Sequence, residues 1–165
     1  DVVDEFGNKV KFILDGGKCQ IGLESTIVDL TGKPSILRPG SITEKKIQKI
    51  LKKKIKIIKN SKKIKSPGQS KLHYSPGIPV KLNRKNAKKN QAFIGFGKNF
   101  KVGKNHFNLS KKGSLKEAAN NLYKTMRKIK KGKFKSIAVV KIPNTEIGFA
   151  INDRLIKASN KWTQK

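Results

Sequence analysis

The second half of the chain alternates apolar strands with amphipathic helices, and this alternation restricts the possible folds more than any other feature. Ser114 and Glu117 have the spacing of a capping box, which predicts the start of a helix. The apolar residues that follow recur at helical spacing and are interpreted as core: Leu115, Ala118, Ala119, Leu122, Met126 and Ile129. Strands are predicted at residues 78–82, 92–96 and 134–142, and a closing helix at residues 149–159. This alternation predicts an α/β fold, with a small sheet covered by helices.

The first half predicts a β-hairpin. Residues 11–15 and 25–30 have the composition of strands, and residues 35–38 form the returning strand. The sequence Thr-Gly-Lys-Pro at residues 31–34 is typical of a turn. We therefore expect strand 25–30 to pair with strand 35–38.

A helix and a linker are predicted after the hairpin. Ser41 and Glu44 have capping-box spacing, with Ser41 as the expected N-cap. An apolar stripe follows: Ile47, Ile50 and Leu51. Between residues 60 and 75, Ser, Lys, Gly and Pro replace the periodic pattern, as is typical of a linker between domains. The predicted organisation is a first part at residues 1–55, a linker at 56–77 and a C-terminal α/β domain at 78–165.

The charge balance leaves two interpretations open. The chain has 40 Lys and Arg against 10 Asp and Glu, a net charge of +30 at pH 7. A basic surface of this size is typical of proteins that bind nucleic acid. However, only four of these residues are arginine, and the lysines are spread along most of the chain, which favours compositional drift on solvated surfaces. In either case the positive field attracts ATP and RNA at low salt.

Several classes of site are not expected from the composition. Cys19 is the only cysteine, so there is neither an internal disulfide nor a cysteine metal cluster. His73 and His106 are too isolated to suggest a metal pair. No apolar run reaches membrane-spanning length and no signal peptide is visible, so a cytoplasmic protein is expected. The chain begins with Asp1 and not with Met.

The hairpin contains the first candidate site. The hydroxyls of Ser25 and Thr26 lie near a strand end, where a serine can donate to a carboxylate or phosphate. Arg38 is the sole arginine in the first 80 residues, and its planar fork can bind phosphate through two hydrogen bonds. An ordinary salt bridge at a strand end explains Arg38 equally well.

The linker and the closing helix contain further polar candidates. Ser-Pro-Gly at residues 66–68 and His-Tyr-Ser-Pro at 73–76 combine glycine, which lets backbone approach a ligand, with stiffening proline. Tyr74 could hydrogen-bond a phosphate or could simply pack in the linker. The polar side chains of residues 148–155 are assigned to helix capping.

These segments together resemble one known family. Residues 15–17 (DGG), 22–29 (GLESTIVD) and 36–40 (ILRPG) resemble the C-terminal end of YrdC-like domains. Residues 66–76 resemble the linker of the long, two-domain form, and residues 148–155 resemble the end of its extra C-terminal domain. The chain is thereby identified as similar to L-threonylcarbamoyladenylate synthases.

The resemblance implies a function, a fold and roles for residues. Such an enzyme is a nucleotidyltransferase that joins L-threonine, bicarbonate and ATP into threonylcarbamoyl-AMP and pyrophosphate. The product passes to a tRNA threonylcarbamoyl transferase, which makes threonylcarbamoyladenosine in tRNA. By motif, Ser25 would contact L-threonine, and Arg38 and Tyr74 would contact ATP. Mg²⁺ would accompany the nucleotide; no metal ligand and no catalytic residue is assigned. The implied fold is the remnant of a YrdC-like α/β domain, a linker and a small Rossmann-like α/β domain.

The chain departs from the family pattern in two places. The family linker runs Ser-Pro-Gly-Met-Lys-Tyr-Arg-His-Tyr-Ala-Pro, whereas residues 69–72 here are Gln-Ser-Lys-Leu and residue 75 is Ser. The family's N-terminal Pro-Thr-(Asp/Glu)-Thr-x-Tyr-Gly, Lys/Arg nucleotide and Ser-x-Asn segments do not occur. A fragment without activity of its own is therefore expected. The alternatives are a basic RNA-binding module and a docking or regulatory domain without chemistry.

Overall fold

The computed structural model describes residues 2–17, 19–58, 64–70, 73–100 and 103–160. The helices in these ranges are α1 Val2–Phe6, α2 Glu44–Leu51, α3 Leu115–Lys130 and α4 Gly148–Asn160, with a 3₁₀ turn at Gly7–Lys9. The strands are β1 Ile27–Asp29, β2 Ser35–Arg38, β3 Lys56–Ile57, β4 Val80–Lys81, β5 Gln91–Gly95, β6 His106–Asn108 and β7 Ser136–Val139. The mixed α/β class expected from the sequence is confirmed.

The first sheet has the order β1-β2-β3 and contains the expected hairpin. Strands β1 and β2 are antiparallel, with Ile27 opposite Arg38, and β3 adds to β2 in parallel. The turn is held by Asp29, whose Oδ1 accepts hydrogen bonds from Thr31 N at 2.9 Å and Thr31 Oγ1 at 2.7 Å. A small core lies under this sheet: Ile36, Ile47 and Ile55.

The expected start of α2 is wrong by two residues. Thr43, not Ser41, is the N-cap, and its Oγ1 accepts from Lys46 N. Glu44 is therefore the first helical residue and not the third, so it does not form a capping box with Ser41; its carboxylate accepts from Gln48 Nε2 at 2.8 Å within the helix. The expected stripe is also narrower: Ile47 is buried, whereas Ile50 is 78% exposed.

The strand expected at residues 11–15 is also wrong. These residues have no regular secondary structure, and Phe12 and Leu14 are almost fully exposed. A strand requires a hydrogen-bonding neighbour. No neighbouring strand pairs with this segment in the described part of the chain, so its apolar composition alone does not produce one.

The second sheet is entirely parallel, with the order β4-β7-β5-β6. The strands expected at 78–82, 92–96 and 134–142 appear as β4, β5 and β7, each shorter than predicted or shifted by a residue. Short β6 was not predicted. Helices α3 and α4 supply most of the large core: Ala118, Ala119, Leu122, Met126, Ile129, Ala150, Ile151, Leu155 and Ala158, which pack on Val80, Ala92, Ile94, Leu109, Ile137, Val139, Ile142 and Ile147.

The capping box of α3 is confirmed, with one additional member. Ser114 is the N-cap and its Oγ accepts from Glu117 N at 3.3 Å. The Glu117 carboxylate does not reach Ser114 N directly. Instead Ser110 Oγ donates to Glu117 Oε2 at 2.6 Å and accepts from Ser114 N at 2.9 Å. The buried Ser110 hydroxyl thus closes the box.

The linker lies against the hairpin. Lys65 Nζ forms an ion pair with Asp29 Oδ2 at 2.9 Å, at the end of β1. Residues 59–63 and 71–72 of the predicted linker lie outside the described residues. The first two residues of that linker form β3 and pair with β2, and the domain boundaries at 55 and 77 stay a prediction. In the described part of the chain, no helix is both long and apolar enough to span a membrane.

Candidate functional site

Arg38 lies at the junction of the hairpin and the linker. Arg38 is the last residue of β2 and is 9% exposed. Nε donates to Ser25 O at 3.0 Å and Nη2 donates to Ser25 Oγ at 3.2 Å. Nη1 donates to Pro67 O of the linker at 3.4 Å. The structure therefore brings Arg38 and Ser25, the two candidates of the hairpin, into direct contact.

Gly40 allows the backbone after Arg38 to cross the backbone around Ser25. A Cβ atom at Gly40 would lie 2.7 Å from Glu24 O and 2.7 Å from Ser25 C. These are backbone atoms and cannot rotate away. Close approach thus requires glycine at position 40, next to the segment in which Arg38 contacts Ser25.

Tyr74 joins the same site from the linker. Its ring lies 5.8 Å from the ring of Tyr123 in a stacked arrangement, and the Arg154 guanidinium lies 5.3 Å from its centroid. Its hydroxyl lies beside Gly68, where a Cβ atom would come within 2.6 Å of Tyr74 Oη and 3.1 Å of Arg38 Cδ. All three predicted site residues, Ser25, Arg38 and Tyr74, therefore converge.

Two buried hydroxyls at this junction have no hydrogen-bond partner among the described residues. They are Ser66 Oγ and Tyr74 Oη. A buried polar group left unpaired costs about 1–3 kcal/mol, so such groups are usually paired in the working state of a protein. Together with the Arg38 guanidinium they provide donors for an oxygen-rich anion.

The sequence analysis missed a second polar cluster beside the first. Tyr123 Oη donates to both carboxylate oxygens of Glu24 at 3.1 Å. Arg154 Nε donates to Glu24 Oε2 at 3.1 Å, and Arg154 Nη2 lies 3.0 Å from the same oxygen. The assignment of residues 148–155 to helix capping is wrong for Arg154, whose side chain is fully buried. The rarity of arginine in this chain was the available signal.

The electrostatics keep this cluster charged. Burial acts to raise the pKa of Glu24, but a backbone hydrogen bond and the Arg154 guanidinium outweigh it and lower that pKa. Burial, and then the Glu24 carboxylate, raise the pKa of Tyr123 far above its ordinary value. The pKa of Arg154 is raised because Tyr74 and Glu24 outweigh its burial. An anionic Glu24 thus lies between a cationic arginine and a neutral phenol.

The linker aromatics are neutral at physiological pH. Burial lowers the pKa of His73, and the nearby Glu24 carboxylate opposes this only in part. Burial raises the pKa of Tyr74. The two rings touch edge to face, with centroids 3.9 Å apart. The positive charge of the site therefore comes from arginine and not from histidine.

A cavity of about 650 Å³ opens beside the site, between α4 and the α2–β3 segment. Its lining includes Pro39, Ile55, Gln69, Phe149, Asp153 and Ile156. Ser25, Arg38 and Tyr74 do not line it. The cavity adjoins the candidate site and does not coincide with it.

The fold and the site define an α/β protein in which a hairpin, a linker and the helices of a second sheet share one polar junction. Residues 42–160 match the family model described as "Threonylcarbamoyl-AMP synthase, C-terminal domain", and residues 1–40 match the one described as "Telomere recombination". The chain belongs to the threonylcarbamoyl-AMP synthase family.

Relatives and solved structures agree with this assignment. The threonylcarbamoyl-AMP synthase of Pyrococcus abyssi is 30% identical over 177 residues, covering 96% of this chain and 52% of that protein. The Bacillus subtilis enzyme is 27% identical over 182 residues, covering 96% and 51%. The crystal structure of P. abyssi Sua5 complexed with L-threonine superposes with a TM-score of 0.81 at 28% identity, covering 96% of this chain and 52% of that one. The structure of a double mutant of the same P. abyssi protein superposes with a TM-score of 0.77 at 26% identity, covering 96% of this chain and 51% of that one. The chain spans about half the length of the curated relatives it matches.

Proposed function

We propose that this chain contributes part of the substrate site of a threonylcarbamoyl-AMP synthase. The reaction joins L-threonine, bicarbonate and ATP into threonylcarbamoyl-AMP and pyrophosphate, and its product serves the threonylcarbamoyladenosine modification of tRNA. The observation that supports this most is the convergence of Ser25, Arg38 and Tyr74, where the buried hydroxyls of Tyr74 and Ser66 have no hydrogen-bond partner among the described residues. The family assignment and the L-threonine complex of the P. abyssi relative support the substrate class.

The chemistry requires this type of site. The threonine amine and bicarbonate form a carbamate with loss of water. A carbamate oxygen then bonds to the α-phosphorus of ATP, and the bond to pyrophosphate breaks. Two anions must approach each other, so cationic and hydroxyl donors have to converge on them. Ser25 is proposed to contact L-threonine, and Arg38 and Tyr74 to contact the phosphates of ATP.

Arg38 can bind a phosphate through its remaining N–H groups or in exchange for its weakest partner. Three of its five N–H groups hold Ser25 and the linker carbonyl of Pro67, and the Pro67 contact at 3.4 Å is the longest of the three. A phosphate oxygen would compete with that carbonyl, because a charge-assisted hydrogen bond is stronger than one to a neutral acceptor. Displacement of the carbonyl would couple ATP binding to movement of the linker.

Magnesium is proposed to arrive with the nucleotide. Among the described residues, no group of three His, Cys, Asp or Glu side chains is arranged to hold a metal ion. The phosphates of ATP are proposed to supply ligands to the metal ion. No step assigned to Ser25, Arg38 or Tyr74 depends on the metal.

The test is pyrophosphate release by the full-length protein with ATP, bicarbonate and L-threonine. We expect release that requires L-threonine, and we expect none from residues 1–165 alone. Serine and valine in place of threonine are the matched controls for substrate class. Absence of threonine-dependent release, under conditions where the P. abyssi relative is active, would overturn the proposal.

A further inference from the structure

One buried arginine of α4 contacts both segments that contain the proposed substrate-binding residues. Arg154 Nη1 donates to Pro39 O at 2.8 Å, and Nε donates to Glu24 Oε2 at 3.1 Å. Pro39 directly follows Arg38, and Glu24 directly precedes Ser25. One guanidinium therefore bridges the chain neighbours of the two residues.

The orientation of Arg154 is itself determined on several sides. Asp153 Oδ2 accepts from Arg154 Nη1 at 2.8 Å, and Lys157 Nζ lies 2.7 Å from Asp153 Oδ1. The Tyr74 ring covers the guanidinium at 5.3 Å. The planar fork is thus held in one position by α4 and by the linker.

Helix α3 holds the same segment of the first part. Asn120 Nδ2 donates to Cys19 O and Gln20 O, both at 2.8 Å. Gly22 lies directly on the helix backbone, where a Cβ atom would come within 2.6 Å of Asn120 Cα. Tyr123 Oη, one turn further along, holds the Glu24 carboxylate. The segment that directly precedes Ser25 in the sequence is therefore packed against α3.

We infer that Arg154 is a positioning residue: from the C-terminal helix it sets where Ser25 and Arg38 stand relative to each other. The inference rests on the proposed function for its kinetic consequence. Arg154 makes no hydrogen bond to Ser25, Arg38 or Tyr74; it acts on Ser25 and Arg38 through Glu24 and Pro39, and it contacts Tyr74 only through the face of the ring. The C-terminal part would thus determine substrate geometry without supplying a substrate ligand.

The variant Arg154→Lys tests whether the bridge from Arg154 to Glu24 and Pro39 matters, or only its positive charge. A lysine retains the positive charge, but its single ammonium cannot reproduce the planar fork that meets a carboxylate and a carbonyl together. Arg84→Lys is the matched control, because Arg84 is exposed and lies outside the site. Tyr123→Phe is a second variant, since its hydroxyl contacts Glu24 but its removal leaves the Pro39 contact intact.

The kinetic arm measures kcat and the KM values of the full-length protein for L-threonine and for ATP, at saturating bicarbonate. We expect Arg154→Lys to raise the KM values for L-threonine and ATP by about tenfold each, and Tyr123→Phe to raise only that for L-threonine. Arg84→Lys should leave all constants unchanged. A role in stability alone predicts a lower unfolding midpoint with unchanged KM values, and that result would overturn the inference.

A spectroscopic arm uses this chain and requires no measurement of activity. The four arginines give four Nε–H signals in a nitrogen-resolved NMR spectrum. Because Arg38 Nε donates to Ser25 O, Arg154→Lys should shift its signal and speed its exchange with water by about tenfold, whereas Arg84→Lys should not. An unchanged Arg38 signal would overturn the inference even if the synthase activity is confirmed. A changed signal in a protein without synthase activity would overturn only the proposed function.

Discussion

Arg38 combines a structural and a proposed functional role in one side chain. Its fork joins Ser25 to the linker, and it is buried beside two hydroxyls that lack partners among the described residues. An ordinary salt bridge at a strand end was the equal alternative from the sequence. Within the described part of the chain, Arg38 donates to oxygens of Ser25 and Pro67 and pairs with no carboxylate, which argues against that salt bridge.

Arg38→Ala should weaken ATP binding by about 1.5–3 kcal/mol, or roughly 10- to 150-fold, because a hydrogen bond to a charged group is lost. Calorimetric titration of the full-length protein with ATP measures this. Arg84→Ala is the control for the loss of one positive charge, which by itself lowers ATP affinity through long-range attraction. Equal affinities of the two variants would remove Arg38 from the nucleotide site.

Gly68→Ala should disturb the contact between the linker and Tyr74. Gly68 has φ +80°, and its Cβ would clash with Tyr74 Oη at 2.6 Å. Gly77, with φ +86° and open space around it, is the matched control, because alanine there incurs only the backbone strain. Each substitution should cost about 1 kcal/mol of unfolding free energy from that strain. Only Gly68→Ala should also weaken ATP binding, as measured by titration; equal effects at both positions would contradict this.

The linker turn is held by a residue that departs from the family pattern. Gln69 stands where the family has Met, and its Oε1 accepts from Lys65 N at 2.6 Å and Ser66 N at 3.0 Å. The side chain thereby caps the turn that places Pro67 O against Arg38. The departure at residue 69 has a local structural explanation.

Gln69→Ala should loosen this turn without unfolding the protein. The two backbone donors lose their acceptor, at a local cost of about 1 kcal/mol. Amide hydrogen exchange at Lys65 and Ser66 should become faster by about fivefold, with the amides of α3 unchanged. Gln69→Glu retains the acceptor oxygens and should exchange like the wild type. Unchanged exchange in Gln69→Ala would show that Gln69 does not hold the turn.

The two parts of the molecule are joined by a buried charge cluster, which makes stability depend on pH. The pKa of Glu24 is lowered in the folded state from its ordinary value of 4.5. The unfolded chain therefore takes up a proton first, and the stabilising contribution of Glu24 is lost as the pH falls from about 4.5 through the folded pKa. His73, whose pKa is lowered from 6.5, causes a separate loss that begins at higher pH.

Glu24→Gln should flatten the decline of stability below about pH 4.5 and enlarge the decline that begins near pH 6.5, because the Glu24 carboxylate opposes the lowering of the His73 pKa. Urea unfolding at a series of pH values measures both. Asp29→Asn is the comparison, because Thr31 and Lys65 hold the pKa of Asp29 far below its usual value of 3.8; this variant should flatten only the decline below about pH 3.8 and leave the His73 decline unchanged. A Glu24→Gln profile identical to that of the wild type would show that the carboxylate titrates normally in the folded state.

The net charge of +30 predicts non-specific RNA binding by the whole molecule. The affinity should fall steeply with salt, because binding releases counterions, and should not differ between tRNA and other RNA of equal length. Filter binding at several salt concentrations checks both points. Binding that is selective for tRNA and insensitive to salt would favour the RNA-binding alternative.

Local patterns were enough for the elements that depend on near neighbours. The stripe of α3 and its Ser114 cap, and the turn between β1 and β2, follow from residues within a few positions of each other. The predicted strand at residues 11–15 failed because a distant partner decides the outcome: the segment has strand composition but no neighbouring strand in the described chain. The N-cap of α2 is a local error, because Ser41 and Thr43 both carry a hydroxyl that can cap a helix and it is Thr43 that accepts from Lys46 N.

The candidate site also contains residues that the sequence could indicate and contacts that exist only in the folded chain. Residue types and motif order were sufficient to select Ser25, Arg38 and Tyr74 and the α/β class. The cluster of Glu24, Tyr123 and Arg154 depended on folding, because Glu24 and Arg154 are 130 positions apart. No local spacing encodes a contact of that separation; the packing of α3 and α4 against the hairpin creates it, and burial then makes the charges pair.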